Sequence, residues 1–487
     1  MKGDAMMEKV KIISLLLIIF LFPVAAISEA QFVSLQQARL IAELWMQRVG
    51  EDKIVNEGII LQDEKGKSIG YLFNFSGGGF VVVPTEDLFE PIKAWSKDGS
   101  FSSNSELAMD MGVMVIESLV RQAKFIVHTL SNKKQVLQVN KAWTLLEKRS
   151  FVTTDDIISG MVGPLLKTTW SQQTPYNNYC PLDNNGERSV TGCVATAIAQ
   201  ILKYWEWPKV GSGSKCYDDY FSGSISCGTN QYICADFSHE YYWNLMIDSY
   251  SWFEGQPSPE NDAVARLMAD VGVLAKTCYS STESSGFYAG LVAGLPEYLG
   301  YSDDLHDIIS YRDNFFPIIQ EQINKRQPVF FSSDRHAYVA DGYWSVDGMD
   351  QVHFNFGWGG SSDGWYTVES FDSFWEWDDT KNKYVSMVVD IHPLKGPPGF
   401  PSLDIDIEGQ VVNLGWLTSD TEGYILCYSL TPFLNEEEKD VYQIFFDKQQ
   451  TTASFVLPHG AMYYVAVQGY NRYGYGGLSE VKIIQVP

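Results

Sequence analysis

Apolar positions along this chain fall into distinct rhythms, and each rhythm predicts a different kind of segment. Near the start, Lys9 and Lys11 precede an apolar run from Ile12 to Ile27, broken by Pro23 and followed by Ser28-Glu29-Ala30. Further on, Ala38, Ile41, Ala42, Leu44 and Trp45 recur at helical spacing with no proline or glycine between them, which predicts a helix. Tyr71-Leu72-Phe73-Asn74-Phe75, then Ser76-Gly77-Gly78-Gly79, then Phe80-Val81-Val82-Val83-Pro84 predicts strand, glycine turn and strand. Val194, Ile198, Ile201, Leu202 and Trp205 return to helical spacing and stop before Pro208, so Cys193 should open a helix. Pro328-Val329-Phe330-Phe331 and the stretch from His336 to Gly342 alternate as strands do, and Val352 to Phe356 follows after a turn at Asp347-Gly348. Beyond the breaker run Gly396-Pro397-Pro398-Gly399, short β-rich runs alternate with turns, the pattern of a small sandwich.

These rhythms divide the chain. The first run has the charged, apolar, small-residue order of a secretory signal with cleavage near Ala30 or Ala26, and it falls short of the roughly 20 apolar residues a membrane span needs. Segments 31–150 (a small α+β unit ending in a basic stretch), 151–395 and 400–487 follow. With 487 residues, 45% hydrophobic and 14% aromatic, roughly two to four domains are expected. A formal charge of -25 would repel phosphate backbones and anionic lipid alike, which excludes nucleic acid as a partner, and no later run is long and apolar enough to span a bilayer.

Six of the seven cysteines lie in the middle segment, and an odd total leaves at least one thiol unpaired within the chain. No C-x-x-C pair occurs, and His239-Glu240-Tyr241-Tyr242-Trp243 lacks the second histidine of a zinc-protease helix, so neither a metal nor a cofactor is expected. Cys193 at a helix start would face free backbone N–H groups and the positive end of the helix dipole, both favouring thiolate, and a neighbouring imidazole would lower its pKa further, to roughly 3–4 in papain-like pairs. His336 follows Cys193 at a separation within the roughly 130–150 residues of papain-like enzymes. A hairpin centred near Val346 would put Asn355 on the same side as His336 and Tyr338, where its amide could accept the imidazole N–H and fix the tautomer. His353 is close enough in sequence to be a rival base. Upstream, Gln172 or Gln173 could donate to an oxyanion together with the N–H of Cys193, and spacing alone does not choose between them.

These residues resemble the streptopain family of papain-like cysteine peptidases. Trp170-x-Gln172-x-x-Pro175-Tyr176-Asn177 is similar to its first motif, and Thr191-Gly192-Cys193-Val194-Ala195-Thr196-Ala197-x-Ala199-Gln200-x-x-x-Tyr204 to its nucleophile helix. His336-Ala337-x-Val339-x-Asp341-Gly342 resembles the histidine strand, and Asn355-x-Gly357-Trp358-Gly359-Gly360-x-Ser362-Asp363-Gly364 the asparagine-tryptophan loop. The likeness covers about 164–393. It extends more weakly into the leading segment, where Gly79-Phe80-Val81-Val82-Val83 looks like the family's inhibitory prosegment. The final segment resembles a fibronectin type III module through Val412 to Trp416, Gly423 to Tyr428 and Tyr463 to Gln468, with Trp416 and Tyr464 as core and Cys427 as a buried strand thiol.

The resemblance implies an α+β fold, a papain-like two-lobed peptidase domain preceded by a small α+β prosegment and followed by an all-β sandwich. It makes Cys193 the nucleophile, His336 the general base and acid, Gln172 the oxyanion donor, Asn355 and Trp358 the support of the histidine, and Ser285 part of the substrate wall. Two departures stand out: Phe356 replaces a tryptophan, and Arg335 replaces a glycine, adding a cation on the substrate path that would favour an acidic neighbour in the substrate. The expected protein is a secreted cysteine endopeptidase made as a zymogen, with protein or peptide substrates and its own prosegment as intramolecular inhibitor. Two rival readings are a cell-wall peptide amidase or transpeptidase using the same pair, and a catalytically inactive secreted binding protein.

Overall fold

The computed structural model describes residues 31–62, 66–87, 89–99, 101, 143, 160–219, 228–250, 257–311, 315–332, 336–346, 349–367, 384–394, 401–418, 421–433, 440–471 and 474–487. The expected signal run, Arg335 and Cys227 lie outside the described residues. Among those described, no helix is long and apolar enough to cross a membrane.

The leading segment opens with helix α1 (Leu35–Arg48), started by a capping box in which Ser34 and Gln37 satisfy each other's backbone N–H groups. Its apolar stripe, including Trp45, lies on an antiparallel meander of β1 (Val55–Gln62), β2 (Ser68–Phe75), β3 (Phe80–Pro84) and β4 (Ala94–Ser96). The hairpin expected at Tyr71 to Pro84 is therefore β2 and β3, joined across the glycine turn.

The middle segment begins with the short β5 (Met161–Val162) and then α2 (Cys193–Trp205). A hairpin of β6 (Ser214–Asp219) and β7 (Gln231–Asp236) follows, closed by a disulfide between the directly opposed Cys216 and Cys234. Cys278 is also disulfide-bonded, while Cys180, Cys193 and Cys427 carry thiols. After α3 (Pro259–Leu274) and α4 (Ala289–Leu299) come β8 (His306–Tyr311), α5 (Phe315–Asn324), β9 (Val329–Ser332), β10 (Ala337–Val346), β11 (Met349–Asn355), β12 (Gly364–Thr367) and β13 (Tyr384–Val389).

One sheet runs through both segments in the order β1-β2-β3-β4-β12-β11-β10-β9-β13-β8, with β5 beside β10. The junction is the pairing of β4 with β12, Trp95 opposite Trp365 and Ala94 opposite Tyr366. The leading segment thus docks by strand addition on an edge of the middle segment's sheet. Strand alternation then sorts the core. Phe330, Ala337, Val339 and Val388 pack with α2, α3 and α4, while Phe331, Tyr338, Ala340, Met387 and Val389 pack with α5 on the opposite face.

The last segment is all β. A three-stranded sheet of β14 (Ser402–Glu408), β15 (Val411–Leu417) and β18 (Thr452–Val456) faces a second one. That second sheet is built from β16 (Gly423–Ser429), β17 (Tyr442–Asp447), β19 (Met462–Asn471), β20 (Gly474–Leu478) and β21 (Lys482–Gln485). Trp416 and Tyr464 are core residues, and Cys427 is fully buried in β16.

Candidate active site

Cys193 is the first residue of α2, half-buried and outside any disulfide. Its neighbour Gly192 sits at φ +82°, and a Cβ there would lie 2.9 Å from the Ser284 carbonyl oxygen. Both the backbone conformation and the close approach therefore require glycine. Thr196 braces the turn by donating from Oγ1 to the Gly192 carbonyl at 3.0 Å. The rest of the helix is amphipathic, with Ile198, Ile201 and Leu202 fully buried, so packing fixes where its first residue points.

The electrostatics of Cys193 differ from the sequence expectation. Burial pushes the thiol above its ordinary pKa, and it outweighs the backbone N–H groups of Ala337, Val194 and Cys193 itself, which favour thiolate; Glu283 adds to the upward shift. The helix start supplies the donors that were expected, but removing the sulfur from water costs the anion more than those donors return.

His336 immediately precedes β10 and is buried. Its Nε2 lies 2.8 Å from the Phe356 carbonyl oxygen. A carbonyl can only accept, so Nε2 carries the hydrogen and Nδ1 is the basic nitrogen. The ring stacks on Trp358, centroids 4.4 Å apart at 28°. Burial pulls the imidazole down to about 4, against the opposing effect of the Phe356 carbonyl. The N–H of Ala337, the next residue, is among the groups that favour the Cys193 thiolate, and the strand it opens packs against α2.

The expected contact between Asn355 and His336 is replaced by another arrangement. Asn355 pairs with Val339 because Asp341 forms a bulge between Ala340 and Gly342, which shifts the register and puts Asn355 on the α2 face, opposite to Tyr338. Its Oδ1 accepts from Gln200 Nε2 at 2.9 Å and from the Gly357 N–H at 3.0 Å, and its Nδ2 donates to the Thr168 carbonyl at 2.7 Å. A main-chain carbonyl, that of Phe356, takes the imidazole N–H instead. A backbone acceptor leaves no trace in residue type, which is why sequence reasoning missed it.

Gln173 is engaged locally, its Oε1 accepting from Ser171 Oγ at 2.9 Å. The Gln172 carbonyl accepts from the Thr191 N–H at 3.1 Å, two residues before Cys193, so Gln172 is tied directly to the turn that starts α2. Ser285 is exposed and bridges Cys278, while the Ser284 carbonyl abuts Gly192, so this stretch runs alongside the start of α2. Trp358 buries its Nε1 without a hydrogen-bond partner among the described residues.

His353, the rival base, is bound to Asp341, Nδ1 to Oδ1 at 2.6 Å. Asp341 Oδ2 accepts from the Leu166 N–H at 3.0 Å, and Asp363 Oδ1 from the Phe356 N–H at 2.8 Å. Burial raises the Asp363 carboxyl to about 7, partly offset by the Phe356 N–H and His353 and reinforced by Asp341. For His353 burial opposes the charge, but Asp341 and Asp363 together hold its pKa above the ordinary value.

The sign of the resulting pH dependence is fixed. Between its unfolded value near 3.8 and its folded value of about 7, Asp363 holds a proton only in the folded protein, so its contribution to stability is lost as pH rises through that window. His336, lowered to about 4 from 6.5, acts in the opposite sense between those values. Asp363→Asn keeps an acceptor for Phe356 and removes only the carboxyl titration. Its Tm relative to the parent, both in a Cys193→Ala background, should therefore climb as pH goes from 4 to 7. A difference that stays flat across that range would contradict the assignment.

Residues 170–366 match the model of the peptidase C10 family, and residues 30–117 match that of the Spi protease inhibitor. Streptopain of Streptococcus pyogenes is 28% identical over 344 residues, 67% of this chain and 80% of that protein. The thiol protease/hemagglutinin PrtT of Porphyromonas gingivalis is 27% identical over 319 residues, 62% of this chain and 34% of that protein. Among solved structures, a prointerpain A fragment from Prevotella intermedia aligns with a TM-score of 0.51 at 25% identity, covering 70% of this chain and 100% of that one.

Proposed function

Since the chain belongs to the streptopain type of papain-like cysteine peptidases, the peptidase C10 family, and is a cysteine endopeptidase with an inhibitor-type prosegment, we propose that it is secreted as a zymogen and cleaves peptide bonds through Cys193 and His336. In this reading 1–30 is a signal, 31–150 the prosegment, 151–395 the peptidase and 400–487 a docking or spacing module. The observation that carries it is a thiol outside any disulfide at the start of α2, a helix packed against β10, whose preceding residue is an imidazole with its Nε2–H held by a backbone carbonyl.

In the reaction, the thiol proton passes to Nδ1 of His336 as Sγ attacks the scissile carbonyl carbon. The oxyanion takes hydrogen bonds from the N–H of Cys193 and the side-chain amide of Gln172, and loss of one such donor typically costs on the order of 10²–10³ in rate. The imidazolium then protonates the departing amine, leaving a thioester that water hydrolyses with His336 as base. Trp358 stacked on the imidazole limits its rotation, and Asn355 supports it through the Phe356–Gly357 peptide. Ser285 belongs to the substrate wall. Arg335, outside the described residues, is assigned the preference for an acidic substrate neighbour, which paired acidic and neutral peptides would reveal.

Burial also sets the resting protonation of the pair. With the thiol pushed up and the imidazole pulled down to about 4, both groups of the precursor are neutral at neutral pH.

A time course of the purified precursor in reductant, wild type beside Cys193→Ala, tests this reading by mass and by labelling with a thiol-reactive epoxide. Loss of a segment of about the prosegment's mass with labelling in wild type alone is the expected result. If neither protein shortens or is labelled, even after another protease removes the leading segment, the catalytic reading fails.

A further inference from the structure

The nucleophile helix carries a second polar side chain that the reaction as written does not use. Gln200 lies seven residues after Cys193, two helical turns along the same face, and is fully buried. Both ends of its amide are engaged. Oε1 accepts from the Trp170 N–H at 3.1 Å and from Thr168 Oγ1 at 2.9 Å, and Nε2 donates to Asn355 Oδ1 at 2.9 Å.

The polarity of this network is forced from both ends. A backbone N–H, that of Trp170, can only meet an oxygen, so Nε2 of Gln200 must face Asn355. The group it meets on Asn355 must then be Oδ1, which is also the atom that takes the Gly357 N–H, leaving Nδ2 to the Thr168 carbonyl. The Gly357 N–H and the Phe356 C=O belong to one planar peptide, so its tilt is set on one side by Asn355 and delivered on the other to Nε2 of His336. Hydrogen bonds in such a chain also polarise one another.

We propose that Gln200 is a positioning residue that sets the register between the three segments carrying the nucleophile, the oxyanion donor and the histidine's acceptor. It anchors residues 168–170, which lead into Gln172, and it orients Asn355, which orients the peptide gripping His336. An apolar residue here would leave the Trp170 N–H and the Asn355 Oδ1 short of a partner in a buried site, and the Phe356–Gly357 peptide would lose its fixed tilt. The inference rests on the assignment of Cys193 and His336 given above.

Gln200→Leu and Gln200→Glu, made in the full-length chain and matured in trans by tagged wild-type enzyme that is then removed, test the proposal. The readouts are kcat and KM separately, Tm, and the pH profile of Cys193 alkylation. For Gln200→Leu, kcat should fall about 10–100-fold, with KM within about twofold and the alkylation profile displaced towards the behaviour of an isolated thiol. For Gln200→Glu, a protonated carboxyl can still donate to Asn355 while a carboxylate cannot, so its activity relative to wild type should recover as pH falls. The proposal is overturned by a folded Gln200→Leu with wild-type kcat and profile, or by losses that track Tm while the profile stays put. Failure of both variants to accumulate as soluble precursor would also overturn it, leaving Gln200 a folding role alone. An inert, unlabelled wild type would instead sink the underlying assignment, and that is seen before any Gln200 variant is measured.

Discussion

Alanine at His336 is expected to lower kcat/KM by on the order of 10⁴-fold or more, and the double variant with Cys193→Ala should be no worse than either single one. The thiol is pushed upward by burial, so without a base to take its proton almost none is thiolate at neutral pH. The imidazole is also the only donor in the scheme positioned to protonate the leaving amine, so two steps fail together. Alkylation of Cys193 at neutral pH should slow in parallel and recover only as pH approaches the thiol's own range. Asp341 holds His353 and should not allow it to substitute, so His353→Ala is expected to retain most activity while losing stability. A His336→Ala enzyme with near-normal turnover beside an inert His353→Ala enzyme would transfer the base to His353. Autoprocessing of the two precursors gives the same comparison without a synthetic substrate.

Trp95→Ala should weaken the grip of the prosegment by about 3–5 kcal/mol, a loosening of roughly 10²–10³-fold or somewhat more. Trp95 is fully buried between Trp45, with centroids 5.6 Å apart, and Trp365, stacked at 6.0 Å, and its Nε1 donates to Gln351 Oε1 at 2.8 Å. Its backbone is where the sheet passes from one segment to the other. Truncation removes an indole stacked across that junction, creates a cavity and takes the donor away from a buried amide on β11. The nearby Lys93–Glu90 pair at 2.7 Å is buried and cannot compensate, since its charges already satisfy each other. Two measurements check this: the Tm of the Cys193→Ala precursor, which should drop by several degrees, and the self-processing rate of the active precursor, which should rise. An unchanged Tm together with an unchanged processing rate would show that the edge-strand junction is not what holds the prosegment.

Much of the local architecture was legible in the amino-acid order because it depends on neighbours in sequence. The 3.6-residue recurrence after Cys193 marked α2 and its start, the run from Tyr71 to Pro84 marked the β2–β3 hairpin, and Ala337 to Ala340 alternate across the sheet as their period of two requires. The sandwich core residues Trp416 and Tyr464 were legible through the resemblance of their runs to a fibronectin type III module. Motif resemblance added the family and the peptidase chemistry, since residue types at fixed offsets are themselves sequence properties.

What the tertiary structure decided is everything that depends on groups far apart in the chain. The bulge at Asp341 moves Asn355 to the other face, and no periodicity announces a bulge, because one extra residue reverses the alternation without changing composition. The acceptor of the His336 N–H is a main-chain carbonyl, identical in every residue, so only its position could reveal it. Gln200 reads as one polar residue in an apolar helix until Trp170 and Asn355 are folded against it. The thiol at Cys193 was expected to ionise readily from its helix position, yet the folded precursor pushes it the other way. Desolvation sums over all the atoms that exclude water, and those atoms are gathered only by the completed fold.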